Sequence, residues 1–312
     1  MTTTQAAPRP GATATQRETA TQRETAVRVR GLVKRYGNRA VVDGLDLDVF
    51  RGEVFALLGP NGAGKTTTIE ILEGVRRPDG GEVRVLGVDP ARGGRDWRAR
   101  IGVVSQGEGA PQEVSVREVL DHFAGYHATP RPTAELIAAV GLEEKAGTRI
   151  ARLSGGQRRR LEVALGVQGR PELVFLDEPT TGMDPVARRQ FWELIRALRA
   201  DGATVLLTTH YLDEAAELAD RVGVIADGRL VEVAPPDELG ADLRRLARVR
   251  WTEDGAVREV RTESPAAVLR DLLAGPGEVP GLTVTRPSLE DVYLSLVGAP
   301  STVPTAPEGD LR

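Results

Sequence analysis

A glycine-rich loop between an apolar strand and a helix constrains this chain most. The segment GPNGAGKTT (59–67) follows VFALL and precedes TTTIEILEGV, whose apolar residues recur at helical spacing. Gly59, Gly64, Lys65 and Thr66 satisfy the pattern of Gly, four residues, Gly, Lys, Thr. Glycines let successive backbone N–H groups point inward, and the helix turns its positive dipole end towards the same place. A plain connecting turn leaves the Lys and Thr unexplained, so the loop predicts a bound phosphate chain.

Two carboxylates follow a second apolar run. LVFLDEP (173–179) predicts a buried strand that ends in Asp177 and Glu178. A strand ending there delivers both side chains to the carboxyl edge of a parallel sheet, where α/β proteins bind ligands. Asp177 then suits Mg²⁺ coordination through water, and Glu178 suits the general base that polarises an attacking water. A pair of helix-capping carboxylates is the alternative, and the phosphate loop in the same chain favours the catalytic interpretation.

Strands and helices alternate along most of the chain. TVLLTTH (204–210) predicts a third buried strand, and Asp184 with Pro185 predicts the start of an amphipathic helix. This alternation predicts an α/β fold with a parallel sheet covered on both faces. We predict a disordered tail at 1–26, which contains a duplicated ATQRET, and a main domain at 27–236. A small α+β accessory domain follows at 241–298, and 299–312 form a second tail.

Composition excludes several classes of function. The net charge of −4 argues against a general affinity for nucleic acid, and we interpret the run Arg158, Arg159, Arg160 as one solvated helical turn. The chain has no Cys, so disulfides and thiolate metal sites are excluded, and its three His are scattered. No apolar run approaches the length of a bilayer span.

A third glycine-rich segment, LSGGQ (153–157), has two interpretations. Ser154 and Gln157 match a capping box at a helix start. A helix that begins with Gly155 and Gly156 is equally an anion site. One nucleotide cannot easily use two separate helix N-termini of one chain, so the residues alone leave this choice open.

Together these segments resemble the nucleotide-binding subunits of ATP-binding cassette (ABC) transporters. GPNGAGKTT resembles the Walker A motif, LSGGQ the family signature and LVFLDEP the Walker B motif, over about residues 27–235. The resemblance implies a P-loop NTPase cassette with a RecA-like parallel sheet core, an antiparallel β subdomain and a helical signature subdomain at about 107–165. It also implies two cassettes packed head to tail, so that Ser154, Gly155, Gly156 and Gln157 of one subunit close over the ATP held by the other.

The resemblance assigns further residues one at a time. Tyr36 resembles the aromatic residue that stacks on adenine, and Asp184 lies in a loop that contacts the partner cassette. Gln106 resembles the glutamine that touches Mg²⁺ and water, and His210 resembles the histidine that contacts the γ-phosphate and supports Glu178. Thr66 and Asp177 complete the implied Mg²⁺ site. The implied ATP contacts of the loop are Gly59, Pro60, Asn61, Gly62, Ala63, Gly64, Lys65, Thr66 and Thr67.

The C-terminal stretch SLEDVYLSLVG (288–298) resembles the ending of drug-resistance exporter ATPases of the daunorubicin type. We therefore expect an ATPase that homodimerises at the cytoplasmic face of the membrane and energises a separate permease. It would not bind nucleic acid, nor would it bind the exported drug or antibiotic directly. A soluble ABC ATPase without transport is the alternative, and another class of P-loop NTPase leaves LSGGQ unexplained. The accessory domain either strengthens the dimer or serves regulation or the docking of a partner.

Overall fold

The computed structural model describes residues 23–104, 112–253, 255–274 and 278–298. Gln106 lies outside these ranges, as do residues 1–22 and 299–312 of the two predicted tails. Within the described ranges, no helix has both the length and the apolar character that a bilayer span requires.

A six-stranded sheet of order β5-β6-β7-β3-β8-β9 forms the centre of the molecule. Five strands are parallel, and β9 pairs antiparallel with β8 through a tight turn at Asp227 and Gly228, whose φ values are 48° and 76°. Every residue of β3, β6 and β7 is buried, as expected for strands covered on both faces. The strands are β3 Val54–Leu58, β5 Ile101–Val104, β6 Leu173–Asp177, β7 Thr204–Thr209, β8 Arg221–Ala226 and β9 Arg229–Ala234.

An antiparallel sheet covers one face of the central sheet. Its strands are β1 Thr25–Tyr36, β2 Arg39–Phe50 and β4 Gly80–Val85, in the order β2-β1-β4. Its apolar residues share one core with Phe55 and Leu57 of the central sheet. Because β1 begins at Thr25, the last two residues assigned to the N-terminal tail belong to this sheet.

Helices cover the opposite face. Val54, Ala56 and Leu58 alternate with Phe55 and Leu57 along β3, so they point into a second core shared with the helices. Two helices lie instead on the side of the antiparallel sheet: α1 Lys65–Leu72 and α2 Arg95–Arg98, whose buried residues Ile69, Ile71, Leu72 and Trp97 pack in the same core as that sheet. The remaining helices of the main domain are α3 Val116–Ala124, α4 Thr133–Ala139, α5 Gly155–Val167, α6 Pro185–Ala200 and α7 Leu212–Leu218, with short 3₁₀ turns at Pro90–Arg92, Glu143–Lys145 and Ile150–Arg152.

The C-terminal segment forms a second three-stranded sheet of order β11-β10-β12. Its elements are α8 Ala241–Arg245, β10 Ala247–Glu253, β11 Ala256–Thr262, α9 Pro265–Leu272, β12 Thr283–Thr285 and α10 Leu289–Gly298. The last helix, α10, packs on the main domain: Val292 is fully buried in the helix-side core. A Cβ at Gly240 would lie 2.2 Å from Val292, so the connection approaches α10 closely. The final helix of the predicted accessory domain therefore contributes to the core of the main domain.

Candidate nucleotide site

The phosphate loop lies between the end of β3 and the first turn of α1. Two of its three glycines, Gly62 and Gly64, have φ values of 82° and 103°, a region that L side chains rarely adopt. A Cβ at Gly64 would lie 2.6 Å from the Val41 carbonyl oxygen, and one at Gly59 would lie 2.4 Å from that of Ile225. Conformation and space therefore both require glycine, which leaves the backbone free to approach a ligand.

Lys65, the first residue of α1, is held inside this loop. Its ammonium group donates to the carbonyl oxygens of Gly59 at 2.8 Å and Pro60 at 3.2 Å. It also lies 3.3 Å from Glu178 Oε1, and its side chain is only 4% exposed. The charge of Lys65 is thus fixed between the phosphate loop and the predicted catalytic carboxylate.

Thr66 and Asp177 meet at the carboxyl edge of the sheet. The Thr66 hydroxyl donates to Asp177 Oδ2 at 3.1 Å, and the Thr208 hydroxyl donates to Asp177 Oδ1. A hydroxyl and a carboxylate are the oxygen ligands that Mg²⁺ prefers, and Mg²⁺ completes its shell with water and substrate phosphate. The described residues hold no group of three or more His, Asp or Glu side chains arranged as a metal site. The oxygens of Thr66 and Asp177 fit a Mg²⁺ that takes its other ligands from water and phosphate.

Glu178 follows β6 with a φ of 44°, which is uncommon for a residue with a side chain. Its Oε2 lies 3.3 Å from Nδ1 of His210, so Lys65 and His210 hold the two carboxylate oxygens. Burial raises the pKa of Glu178, but the charge and hydrogen bonds of Lys65, followed by those of His210, lower it below its ordinary value. The carboxylate is therefore ionised at neutral pH, as a general base requires.

The signature segment begins α5. Ser154 caps the helix by accepting from the Gln157 N–H at 3.2 Å, and Gln157 Oε1 accepts from the Ser154 N–H at 3.0 Å. The capping box is confirmed. Ser154 and Gly155 are exposed, and among the described residues no hydrogen bond or ion pair joins them to the phosphate loop of the same chain.

Two other predicted positions lie near the surface. Tyr36 ends β1 with 44% of its surface exposed, and the Arg76 guanidinium lies 5.3 Å from the centre of its ring. Asp184 caps α6 by accepting from the N–H groups of Val186 and Ala187, each at 2.9 Å. The Ala187 N–H contributes most to the lowered pKa of Asp184.

The sequence did not indicate the roles of Thr208 and Arg159, and the arginine run was misinterpreted. Thr208 holds both Asp177 and the backbone N–H of Glu178, the latter at 3.0 Å. Arg159 donates to the Asp177 carbonyl at 2.7 Å, and Arg160 donates to the Val140 carbonyl at 3.1 Å. The interpretation of the arginine run as a solvated turn is therefore wrong, because these side chains bind backbone carbonyls within the protein. The position of Thr208 at the end of a predicted buried strand was the available signal.

Comparison with known proteins agrees with this geometry. Residues 42–181 match the ABC transporter family. A daunorubicin resistance ATP-binding protein of Streptomyces coeruleorubidus is 40% identical, across 87% of this chain and 95% of that protein. The chain belongs to the ABC transporter ATP-binding family. A Nod factor export ATP-binding protein of Ralstonia nicotianae is 39% identical, across 86% and 93% of the two chains.

Solved structures show the same cassette. The ATP-binding subunit of an ABC transporter superposes with a TM-score of 0.63 at 28% identity, across 70% of this chain and 93% of that one. A dimeric ATP-binding cassette with ADP and phosphate superposes with a TM-score of 0.61 at 22% identity and shows the shared fold. The predicted ABC cassette fold is confirmed. The ABC subunit described here is an ATPase that energises a separate membrane permease.

Proposed function

We propose that this ABC subunit hydrolyses ATP in a homodimer at the cytoplasmic face of a membrane and thereby drives export of a drug-like or antibiotic-like molecule. The ionised Glu178, fixed between Lys65 and His210 at 3.3 Å each, is the observation that carries the proposal. A carboxylate in this position accepts a proton from a water that attacks the γ-phosphate. His210 orients the carboxylate and contacts the phosphate as it leaves.

The phosphate loop supplies the binding half of the site. Its N–H groups and Lys65 neutralise the β- and γ-phosphates, and Tyr36 offers an exposed ring for the adenine to stack on. Thr66 and Asp177 would hold Mg²⁺, with Gln106 completing that site. When bound there, Mg²⁺ would supply positive charge that reduces the negative charge the nucleophile meets.

The signature supplies the closing half. Ser154 and Gly155 are exposed at the start of a 13-residue helix, where backbone N–H groups and the helix dipole favour an anion. We infer that they close over the γ-phosphate bound by the partner cassette, with Asp184 at the contact. Since each chain carries both halves, both sites of the homodimer hydrolyse ATP.

Direction and cargo follow from the relatives and from the division of labour between subunits. Relatives named for daunorubicin resistance and for Nod factor export suggest outward transport. The two names refer to different molecules. We infer that the permease selects the cargo and that this subunit does not bind it. The subunit does not act on nucleic acid, consistent with its net charge of −4.

The Glu178→Gln variant tests this proposal. It should still bind ATP and form the closed dimer, because the neutral Gln side chain has the shape of Glu. Its kcat should fall by about 100-fold or more, because the general base is absent. Capture of this variant with ATP from native membranes should bring a polytopic membrane protein with it. Unchanged kcat would refute the assignment of the base. Ribosomal proteins, DNA or no partner in the capture would instead support the soluble ABC ATPase alternative.

A further inference from the structure

Arg159 lies in α5, five residues after Ser154, and points towards the catalytic edge of the sheet. Its side chain is 11% exposed. The guanidinium donates to the carbonyl oxygens of Asp177 at 2.7 Å and Pro179 at 3.2 Å. Glu162, one turn further along α5, accepts from the same guanidinium at 2.8 Å. Arg159 is therefore held at one side by its own helix and at the other by the backbone around β6.

Asp177 and Pro179, two of the three residues whose carbonyls Arg159 binds, flank Glu178 in sequence; the third is Val104, at 3.4 Å. Glu178 has the φ of 44° that the surrounding structure must impose, since a residue with a side chain does not favour it. Its N–H group donates to Thr208 Oγ1 at 3.0 Å. Thr208 and Arg159 thus hold opposite sides of the Asp177–Glu178 peptide group, and Arg159 also holds the Pro179 carbonyl on the other side of Glu178. The backbone that sets the direction of the carboxylate is therefore anchored on both sides.

We propose that Arg159 is a positioning residue that holds the Glu178 backbone and couples it to the signature helix. This inference rests on the proposed function, in which Glu178 is the base. A planar guanidinium can reach two carbonyls at once, whereas a lysine ammonium on a flexible stem cannot reproduce that fork. In this role Arg159 acts through the geometry of Glu178, whose flanking carbonyls it binds.

The position of Arg159 in α5 has a second consequence, because the same helix carries the signature segment at its start. Ser154 caps α5 at its exposed end, and Arg159 lies about 7.5 Å further along the same helix at 1.5 Å per residue. Ser154 closes over ATP held by the partner subunit, whereas Arg159 holds the base that acts on the ATP of its own subunit. Movement of α5 on closure therefore reaches both sites of the dimer.

Arg159→Lys in the full chain tests the proposal, with Arg160→Lys as the matched control. Arg160 is the next residue of the same helix and also binds backbone carbonyls, those of Val140 and Gly141 at 3.1 Å. Arg159→Lys should lower kcat by about 10- to 100-fold and change KM for ATP by less than about threefold, because misplaced catalytic groups reduce turnover rather than ground-state binding. Arg160→Lys should keep kcat within about twofold of wild type. Equal kcat losses in the two variants, or a loss confined to KM, would overturn the proposal.

Combination with Glu178→Gln separates positioning of the base from a general structural role. If Arg159 acts through Glu178, the single-turnover rates of Glu178→Gln and of the double variant should agree within about twofold. A further loss as large as that caused by Arg159→Lys alone would refute action through Glu178. If Glu178→Gln itself retains wild-type turnover, the proposed base fails, and this result is distinguishable from failure of the Arg159 inference.

A milder variant guards against misfolding. Glu162→Gln removes the charge behind the guanidinium and leaves Arg159 in place. It should lower kcat by about two- to fivefold, with ATP KM unchanged, because the fork is less firmly held. Wild-type kcat in Glu162→Gln together with misfolded Arg159→Lys would overturn the proposal.

Discussion

Glu73 is a buried carboxyl that forms no ion pair with any described residue. Its replacement by Gln should therefore stabilise the protein, and this gain should increase as pH rises. Glu73 caps the C-terminal end of α1, is 8% exposed, and its Oε1 has no hydrogen-bond partner among the described residues. Burial raises the pKa of Glu73 to about 8, and the neighbouring charges of Asp177 and Glu70 add to the effect. The folded protein therefore holds a proton on Glu73 that the unfolded chain releases.

The sign and size of the effect follow from linkage. With a pKa of about 8 folded and 4.5 unfolded, the folded state binds more protons between these values, so stability falls as pH rises through them. At 1.36 kcal/mol for each pKa unit, the cost is about 1.4 kcal/mol at about pH 5.5 and about 3.3 kcal/mol at about pH 7. Raising the pH between these points should therefore remove about 2 kcal/mol through Glu73 alone.

Urea unfolding of wild type and Glu73→Gln at the two pH values, followed by circular dichroism in EDTA, measures this difference. EDTA keeps divalent cations away from Asp177, whose charge contributes to the shift. The advantage of Glu73→Gln over wild type should grow by about 2 kcal/mol from the lower to the higher pH. Glu135→Gln, which removes an exposed carboxylate on α4, should show no such growth. A difference between wild type and Glu73→Gln that is the same at both pH values would refute the reasoning.

Three further predictions concern the nucleotide site. Gly64→Ala should weaken ATP binding by about tenfold or more, measured by isothermal titration, because its Cβ would lie 2.6 Å from the Val41 carbonyl and its φ is 103°. Asp184→Ala should lower the free energy of unfolding by about 1 kcal/mol in urea titration, since it removes the cap of α6. Excess EDTA should abolish ATP hydrolysis, and added Mg²⁺ should restore it, because Thr66 and Asp177 suit a cation that arrives with the nucleotide. Hydrolysis that continues in EDTA would contradict this prediction.

The local parts of the site could be predicted from the sequence. Gly59, Gly64 and Lys65 fix a strand, a loop and a helix within one short segment, and the structure has all three in place. Glu178 was predictable because an apolar strand that ends in carboxylates delivers them to the edge of the sheet. In each case the chemistry depends on neighbours in sequence, so spacing alone carries the information.

The inward direction of Arg159 and the packing of α10 on the main domain could not be predicted in the same way. The arginine run has the composition of a solvated turn, and only the hydrogen bond from Arg159 to the carbonyl at the end of β6 shows that this side chain points inward. The burial of Val292 similarly depends on α10 returning to the main domain after a sheet of its own. Glu73 is a third case, because an acidic residue at a helix end gives no sign of burial. These features depend on contacts between distant segments, which periodicity does not encode.

The order of the strands decides the chemistry of the site. In the sheet β7 lies between β6 and β3, so three neighbouring strand ends meet at one edge. Glu178 follows β6, His210 follows β7, and the phosphate loop after β3 leads to Lys65. This arrangement explains why His210 and Lys65 each lie 3.3 Å from the Glu178 carboxylate. If another strand separated β6 from β7, the approximately 4.8 Å spacing between strands would move His210 out of reach of Glu178. The same sequence motifs in another strand order would therefore still bind phosphate through the loop, but they would lack the fixed base that hydrolysis requires.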